Sequence, residues 1–227
     1  MQSAADTDMV ANKVKNFVKC GKKIVGAGLN YRSAIAALKV PPPKEPLIFL
    51  KPTTSYIVED QCIQIPDACL EIVHEAELGV VIGKKGRRIK EEDVYDHVGG
   101  YCLALDMTDI GLLGKAKNCG WPWTLAKGWD TSCPVSRFIC KEELPDPENV
   151  RLTSKLNCKL VQDASTCDMY FSIPKLISYI SEYMTLEPCD LILTGTPCGS
   201  ATVKPGDLIE ANLGDIVRME FEVVEEC

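Results

Sequence analysis

Apolar and polar residues alternate along Val73-His74-Glu75-Ala76-Glu77-Leu78-Gly79-Val80-Val81-Ile82-Gly83, and the β-branched content of this run predicts a strand. Strand side chains point to opposite faces in turn, so Glu75 and Glu77 project from one side while Ala76, Leu78 and Val80 go to the other. A second apolar run over 101–108 predicts a strand that ends in an acid, Asp106. Before these two, Val10, Val14, Phe17 and Val18 fall at helical spacing, a short strand over 23–28 runs into glycines, and the alanine content of 29–38 favours a helix. Pro41-Pro42-Pro43 stops that helix, and a strand over 47–52 follows. Further on, the pattern predicts a short helix over 91–98 with acids in its first turn, and a loop or helix from Asp106 through Asn118. It then predicts an irregular aromatic segment over 121–130, strands and turns over 134–161, and a helix over 173–183 with proline near its start. A strand over 190–193 and a final strand over 216–224 close the chain. Many short strands with few helices imply an α+β fold dominated by mixed sheet.

Composition narrows the function classes. A chain of 227 residues, 46% hydrophobic and 25% charged, has room for one sizeable core. A net charge of −7 and a pI near 5.0 argue against non-specific binding to nucleic acid or to an anionic membrane surface, since both need a basic field. No apolar run reaches membrane-spanning length. Twelve cysteines without CxxC pairs or a secretory signal read as reduced, mostly buried thiols in an intracellular compartment. The 10–19 stretch carries lysines but no arginine, which makes it a weak mitochondrial leader. Gly26 and Gly28 superficially match a dinucleotide fingerprint, but the third glycine and a long βαβ unit are missing.

The chemistry concentrates on acids. Two neighbouring carboxylates joined by a third make an oxygen-donor set suited to Mg²⁺, Mn²⁺ or Ca²⁺, with positions left for water and substrate. The alternative is a solvated strand face that happens to carry acids. The chain has two histidines; His74 points away from Glu75 along the strand and His97 sits in a polar helix, so both read as structural.

Four ordered blocks carry a family resemblance: His74 to Gly83; Gly99-Gly100-Tyr101 with Asp106-Met107-Thr108; Trp123-Thr124-Leu125-Ala126-Lys127; and Leu193-Thr194-Gly195-Thr196-Pro197. Together they resemble the fumarylacetoacetate hydrolase superfamily, and within it the small mitochondrial acylpyruvase and oxaloacetate decarboxylase branch. The similarity runs from about Lys22 to the end, leaving residues 1–21 as a partly disordered tail and 22–227 as a single catalytic domain. The resemblance implies a mixed β-roll with a few short helices, a homodimer, a mitochondrial or else cytoplasmic location, and Mg²⁺ or Mn²⁺ held at Glu75, Glu77 and Asp106. It further implies a catalytic lysine beside the metal at Lys127, and substrate-carboxylate binding at Gly195 and Thr196. On the residues alone, Lys127 reads equally as a surface lysine and the Thr-Gly-Thr-Pro turn as a plain strand end.

The departures from that pattern matter as much. A catalytic His and, three residues on, a Glu would stand where this chain has Ala34 and Ala37; two arginines would stand at Leu29 and Ile110, and a glutamine at Leu113. The His/Glu pair supplies the base that activates water for C–C hydrolysis, and general-base help is typically worth about 10²–10⁴-fold. The expectation is a metal-dependent enzyme for small 2-keto diacids, acting on oxaloacetate by decarboxylation or keto–enol tautomerisation, with weak acylpyruvate hydrolysis. The alternative is a non-catalytic relative that keeps the metal and partners an active paralogue.

Overall fold

β1 (Ile24–Gly28), the first strand among the described residues, is already buried along nearly its whole length, in a computed structural model that describes residues 13–226. The segment 1–8, expected to be disordered, and the start of the amphipathic stretch lie outside the described residues. Residues 13–15 are helical and lead into α1 (Phe17–Cys20), with Val14 and Phe17 buried and Lys13 and Lys15 exposed. After β1 comes α2 (Arg32–Leu38), which ends on a left-handed Lys39 just before the three prolines. β2 (Leu47–Lys51), β3 (Tyr56–Ile57), β4 (Ile63–Ile65), β5 (Ile72–His74) and β6 (Ala76–Ile82) follow. The turn α3 (Val94–His97) precedes β7 (Val98–Leu105), β8 (Thr108–Asp109), α4 (Ile110–Cys119) and α5 (Thr124–Lys127). The remainder is β9 (Cys133–Pro134), β10 (Arg151–Leu156), β11 (Lys159–Ser165), α6 (Ile173–Tyr183), β12 (Leu191–Leu193), β13 (Ala201–Thr202), β14 (Leu208–Leu213) and β15 (Val217–Glu225).

Two five-stranded sheets dominate, ordered β2-β1-β12-β6-β7 and β11-β10-β14-β15-β4. In the first, β1 runs parallel to β12 and the other ladders are antiparallel; in the second, only β15 with β4 is parallel. This is the mixed α+β class that the sequence pattern predicts. β6 lies inside the first sheet with both faces covered, and all seven of its residues are buried. Its Ala76, Leu78, Val80 and Ile82 join the larger apolar core, while Val81 packs with Ile24 and Leu191 in a second cluster. α6 forms as its local signals dictate: the Ser172 hydroxyl caps it by accepting from the Lys175 N–H at 3.2 Å, Pro174 sits in the first turn, and Ile173, Ile177 and Ile180 are buried in the larger core. Among the described residues no helix is long and apolar enough to cross a membrane.

Three expectations are corrected. The strand predicted over 73–83 is two strands broken at Glu75, because β5 pairs with β13 and β8 while β6 belongs to the first large sheet. The aromatic segment is not wholly irregular: one helical turn, α5, closes it onto Lys127. The eleven described cysteines are all free thiols, but only Cys102, Cys133 and Cys189 are buried, so the thiols are not mostly interior.

Candidate metal and substrate site

Strand register assembles the acids. β6 and β7 are antiparallel with Ala76 opposite Leu105, so the start of one strand lies beside the end of the other. Glu75 occupies the break before β6, Glu77 is the second residue of β6, and Asp106 directly follows β7. The Asp106 N–H donates to the Glu75 carbonyl at 2.8 Å, which locks the two strand ends together. One carboxylate oxygen from each of Glu75, Glu77 and Asp106 lies within 4.8 Å of the others. Two lysines from other elements meet this set. Lys127, at the end of α5, donates to Glu75 Oε2 at 2.9 Å, to Thr108 Oγ1 at 2.6 Å and to Asp106 Oδ2. Lys51, at the end of β2, places Nζ 2.7 Å from Asp106 Oδ1, an ion pair lying off the line of a good hydrogen bond. Lys51 also donates to the carbonyls of Met107, at 3.1 Å, and Lys127.

Burial turns this arrangement into an electrostatic statement. Glu77 is 2% exposed and Asp106 1%, so the solvated-face alternative is excluded for these two acids. Burial drives the Glu77 carboxyl well above the usual carboxylate range, and the charges of Asp106 and Glu75 add to it against the pull of Lys127 and the Gly195 N–H. For Asp106 burial acts in the same direction, but Lys127 and Lys51 outweigh it and hold the group below its ordinary value. Burial opposes the ammonium of Lys127, yet the Asp106 and Glu75 carboxylates beside it keep its pKa above that of an ordinary lysine. Three carboxylates thus face two ammonium groups, which leaves the buried cluster short of positive charge. Clustered oxygen donors with a charge deficit fit a hard divalent cation, because burying an unmatched carboxylate is costly.

The loop after β12 closes the other side. Gly195 has φ +96°, a left-handed conformation, and a Cβ there would stand 2.7 Å from the Asn30 Cβ. Its N–H donates to Glu77 Oε2 at 2.7 Å. The Thr196 hydroxyl donates to the Ala76 carbonyl at 2.9 Å and accepts from Gln162 Nε2 at 2.8 Å. Asn30 ties the loop down by donating to the Thr194 carbonyl at 2.8 Å.

Of the sequence-predicted residues, Glu75, Glu77, Asp106 and Lys127 therefore come together; Thr196 borders the adjoining cavity, and Gly195 lies behind it against Glu77. Lys51, Gln162, Asn30 and Thr108 were missed. Lys51 had a signal, since alternation along β2 puts it on the same buried face as Phe49. The histidines are structural, as expected. His74 is buried, with Nδ1 3.2 Å from the Ala201 carbonyl and Nε2 3.1 Å from Ser154 Oγ, and burial pushes its pKa down to about 4. His97 Nδ1 meets the Lys84 carbonyl at 3.0 Å.

The cavity has a volume of about 500 Å³, and the three acids and Lys127 are among the residues that line it. Leu29, Ala34, Ala37, Ile110 and Leu113, the five positions that the family resemblance singles out, all line it.

The chain matches the family profile described as fumarylacetoacetate (FAA) hydrolase C-terminal over residues 23–224. It is 45% identical over 210 residues to a mitochondrial oxaloacetate tautomerase of Mus musculus, covering 92% of this chain and 95% of that one. It is also 45% identical over 213 residues to a mitochondrial oxaloacetate decarboxylase of Dictyostelium discoideum, covering 93% and 98%. The fold is similar to that of a fumarylpyruvate hydrolase from Pseudomonas aeruginosa solved with Mn²⁺ and pyruvate, with a TM-score of 0.85 at 26% identity over 91% of each chain. A yeast fumarylacetoacetate hydrolase family protein gives a TM-score of 0.83 at 34% identity, covering 93% of this chain and 96% of that one.

Proposed function

The chain belongs to the fumarylacetoacetate hydrolase family, and from that membership and the geometry above we propose that it is a divalent-metal-dependent enzyme acting on oxaloacetate, by keto–enol tautomerisation or decarboxylation. The observation that carries this reading is the carboxylate triad, with Glu77 and Asp106 buried and Glu75 part-exposed, short of positive charge and lining a substrate-sized cavity. Glu75, Glu77 and Asp106 would hold Mg²⁺ or Mn²⁺; once bound, the ion supplies Lewis-acid stabilisation for negative charge on a keto oxygen, worth several kcal/mol.

The chain's own residues do the rest. Lys127, held between Asp106 and Glu75, offers positive charge to the substrate as an ammonium, and as an amine whose pKa the bound cation lowers it would relay the C3 proton. In decarboxylation the C3–C4 bond of oxaloacetate breaks, its electron pair moves toward C2 and the keto oxygen, CO₂ leaves, and C3 later takes a proton. In tautomerisation a C3 proton would pass to a base, the Lys127 amine in its neutral form, and the keto oxygen gains a proton. Neither route uses an attacking water, so Ala34 and Ala37 obstruct neither, whereas acylpyruvate hydrolysis is left weak. Thr196, its hydroxyl hydrogen committed to Ala76, fixes the wall against which the substrate carboxylate lies. Exposed Leu50, Trp121 and Tyr183 along one apolar cleft support a homodimer, and the names of the relatives support a mitochondrial location.

The test follows pyruvate release and enol absorbance separately, with Mg²⁺ or Mn²⁺, against the metal ion alone. Turnover above that control which falls in Lys127→Met, together with weakened Mg²⁺ binding in Glu77→Ala, is the expected result. Rates no higher than the control would favour the non-catalytic alternative.

A further inference from the structure

α4 presents one face to the cavity. Ile110, Leu113, Gly114 and Lys117 stand at i, i+3, i+4 and i+7, the spacing of a single helical stripe, and all four line the space beside the acids. The stripe is held in place from its start. Asp109 caps α4 by accepting from the Leu112 N–H at 2.8 Å, and it also accepts from the Leu70 N–H at 2.7 Å. Lys117 is therefore a cation displayed on a fixed helix rather than on a free loop.

Among the described residues, two cations line the cavity, Lys117 and Lys127. Lys127 is already engaged with Asp106 and Glu75, whereas the Lys117 side chain forms no ion pair among the described residues. Its ammonium lies 5.2 Å from the centre of the Trp123 ring, a contact that steadies the charge without neutralising it. Lys117 is solvent-exposed and so open to an arriving anion; partial burial of its ammonium and the nearby Lys127 charge lower its pKa, with Glu75 pulling the other way. Among the other lining residues Ile110, Leu113, Leu29 and Ala34 offer a carboxylate nothing, and Ser200 and Thr202 offer neutral hydroxyls, so Lys117 is the lining cation not already paired with an acid.

We propose that Lys117 is the subsite for the distal carboxylate of a 2-keto dicarboxylate whose keto-acid head lies against the carboxylate triad. This rests on the reading of the triad given above. It makes dicarboxylates, rather than monocarboxylic 2-keto acids, the preferred class despite the apolar wall, and it assigns their recognition to the far end of α4.

The test compares oxaloacetate with pyruvate, which has the same head but no distal carboxylate. Binding to the full chain with Mg²⁺ is read by stopped-flow tryptophan fluorescence before appreciable turnover. In Lys117→Met the affinity for oxaloacetate should fall about tenfold, equivalent to about 1.4 kcal/mol. Pyruvate should change by less than about twofold, and Lys117→Arg should keep most of the discrimination, because a charge rather than a shape is being read. Equal weakening of both ligands, or of neither, overturns the subsite. If the wild type discriminates as expected but turns over no faster than the metal ion alone, the reaction fails and the subsite stands. If turnover is present and Lys117→Met leaves the affinity ratio unchanged, the reaction stands and the subsite fails. Binding of neither ligand overturns both.

Discussion

Replacing Lys51 by methionine removes a charge from the centre of the site while keeping most of the side-chain volume. The Lys51 side chain is fully buried, its Nζ is 2.7 Å from Asp106 Oδ1, and it donates to the Met107 and Lys127 carbonyls. In Lys51→Met, Asp106 keeps Lys127 alone, the cluster becomes three carboxylates against one ammonium, and two buried carbonyls lose a donor. Removing one partner of a buried ion pair typically costs about 3–5 kcal/mol, because the remaining charge is left unmatched in a poorly solvated place. For a chain of this size each kcal/mol moves the melting temperature by about 2–4 °C, so the variant should melt about 6–20 °C below the wild type in chelator. A cation at the triad acts in the opposite direction. Ligand at a hundred times its dissociation constant adds about 2.7 kcal/mol of stability, and the more negative variant cluster should gain at least as much as the wild type. Thermal melts of both proteins in EDTA and in saturating Mg²⁺ therefore have a definite expected pattern: a wide gap in chelator that narrows with the ion. Melting temperatures within about 2 °C of each other in EDTA would refute the claim that Lys51 balances Asp106. A gap that Mg²⁺ widens would refute the placement of the cation.

Three further outcomes are expected. Ala34→His combined with Ala37→Glu should raise acetylpyruvate hydrolysis by more than the sum of the single changes, because the two groups act as a unit; a wild-type rate already on the order of 10 s⁻¹ would sink the argument that a base is missing. The folded state holds His74 neutral down to about pH 4, whereas the unfolded chain takes up that proton near 6.5, so the stability His74 contributes is complete above pH 6.5 and drains away toward pH 4. The loss has a ceiling of about 3 kcal/mol, and urea titrations should show a flatter pH dependence in His74→Gln; parallel pH profiles would contradict it. Gly195→Ala forces an L-residue into a left-handed conformation against Asn30, which should destabilise the fold by about 1–3 kcal/mol and weaken Mg²⁺ binding through misalignment of the Glu77 donor. Unchanged melting and calorimetric affinity would count against that role.

The sequence by itself determined whatever depends on neighbours a few residues away. The helix over 173–183 was legible because its serine cap, its early proline and its apolar spacing all lie within the segment that they shape. The two-residue spacing of Glu75 and Glu77 pointed to neighbouring carboxylates, and the ordered blocks pointed to Asp106 and Lys127 as their companions. Tertiary structure decided the rest. The break at Glu75 exists because β5 and β6 are claimed by different sheets, a competition between distant partners that no local pattern records. Covering both faces of β6 turned an apparently half-exposed acid into a buried one, and with that set its protonation preference and its need for a counter-charge. Lys51 reaches Asp106 across 55 positions, and Gln162 reaches Thr196 across 34; only chain packing can specify such meetings. Most directly, Leu29, Ala34, Ala37, Ile110 and Leu113 are scattered along the sequence, and folding alone gathered them onto the wall of one cavity.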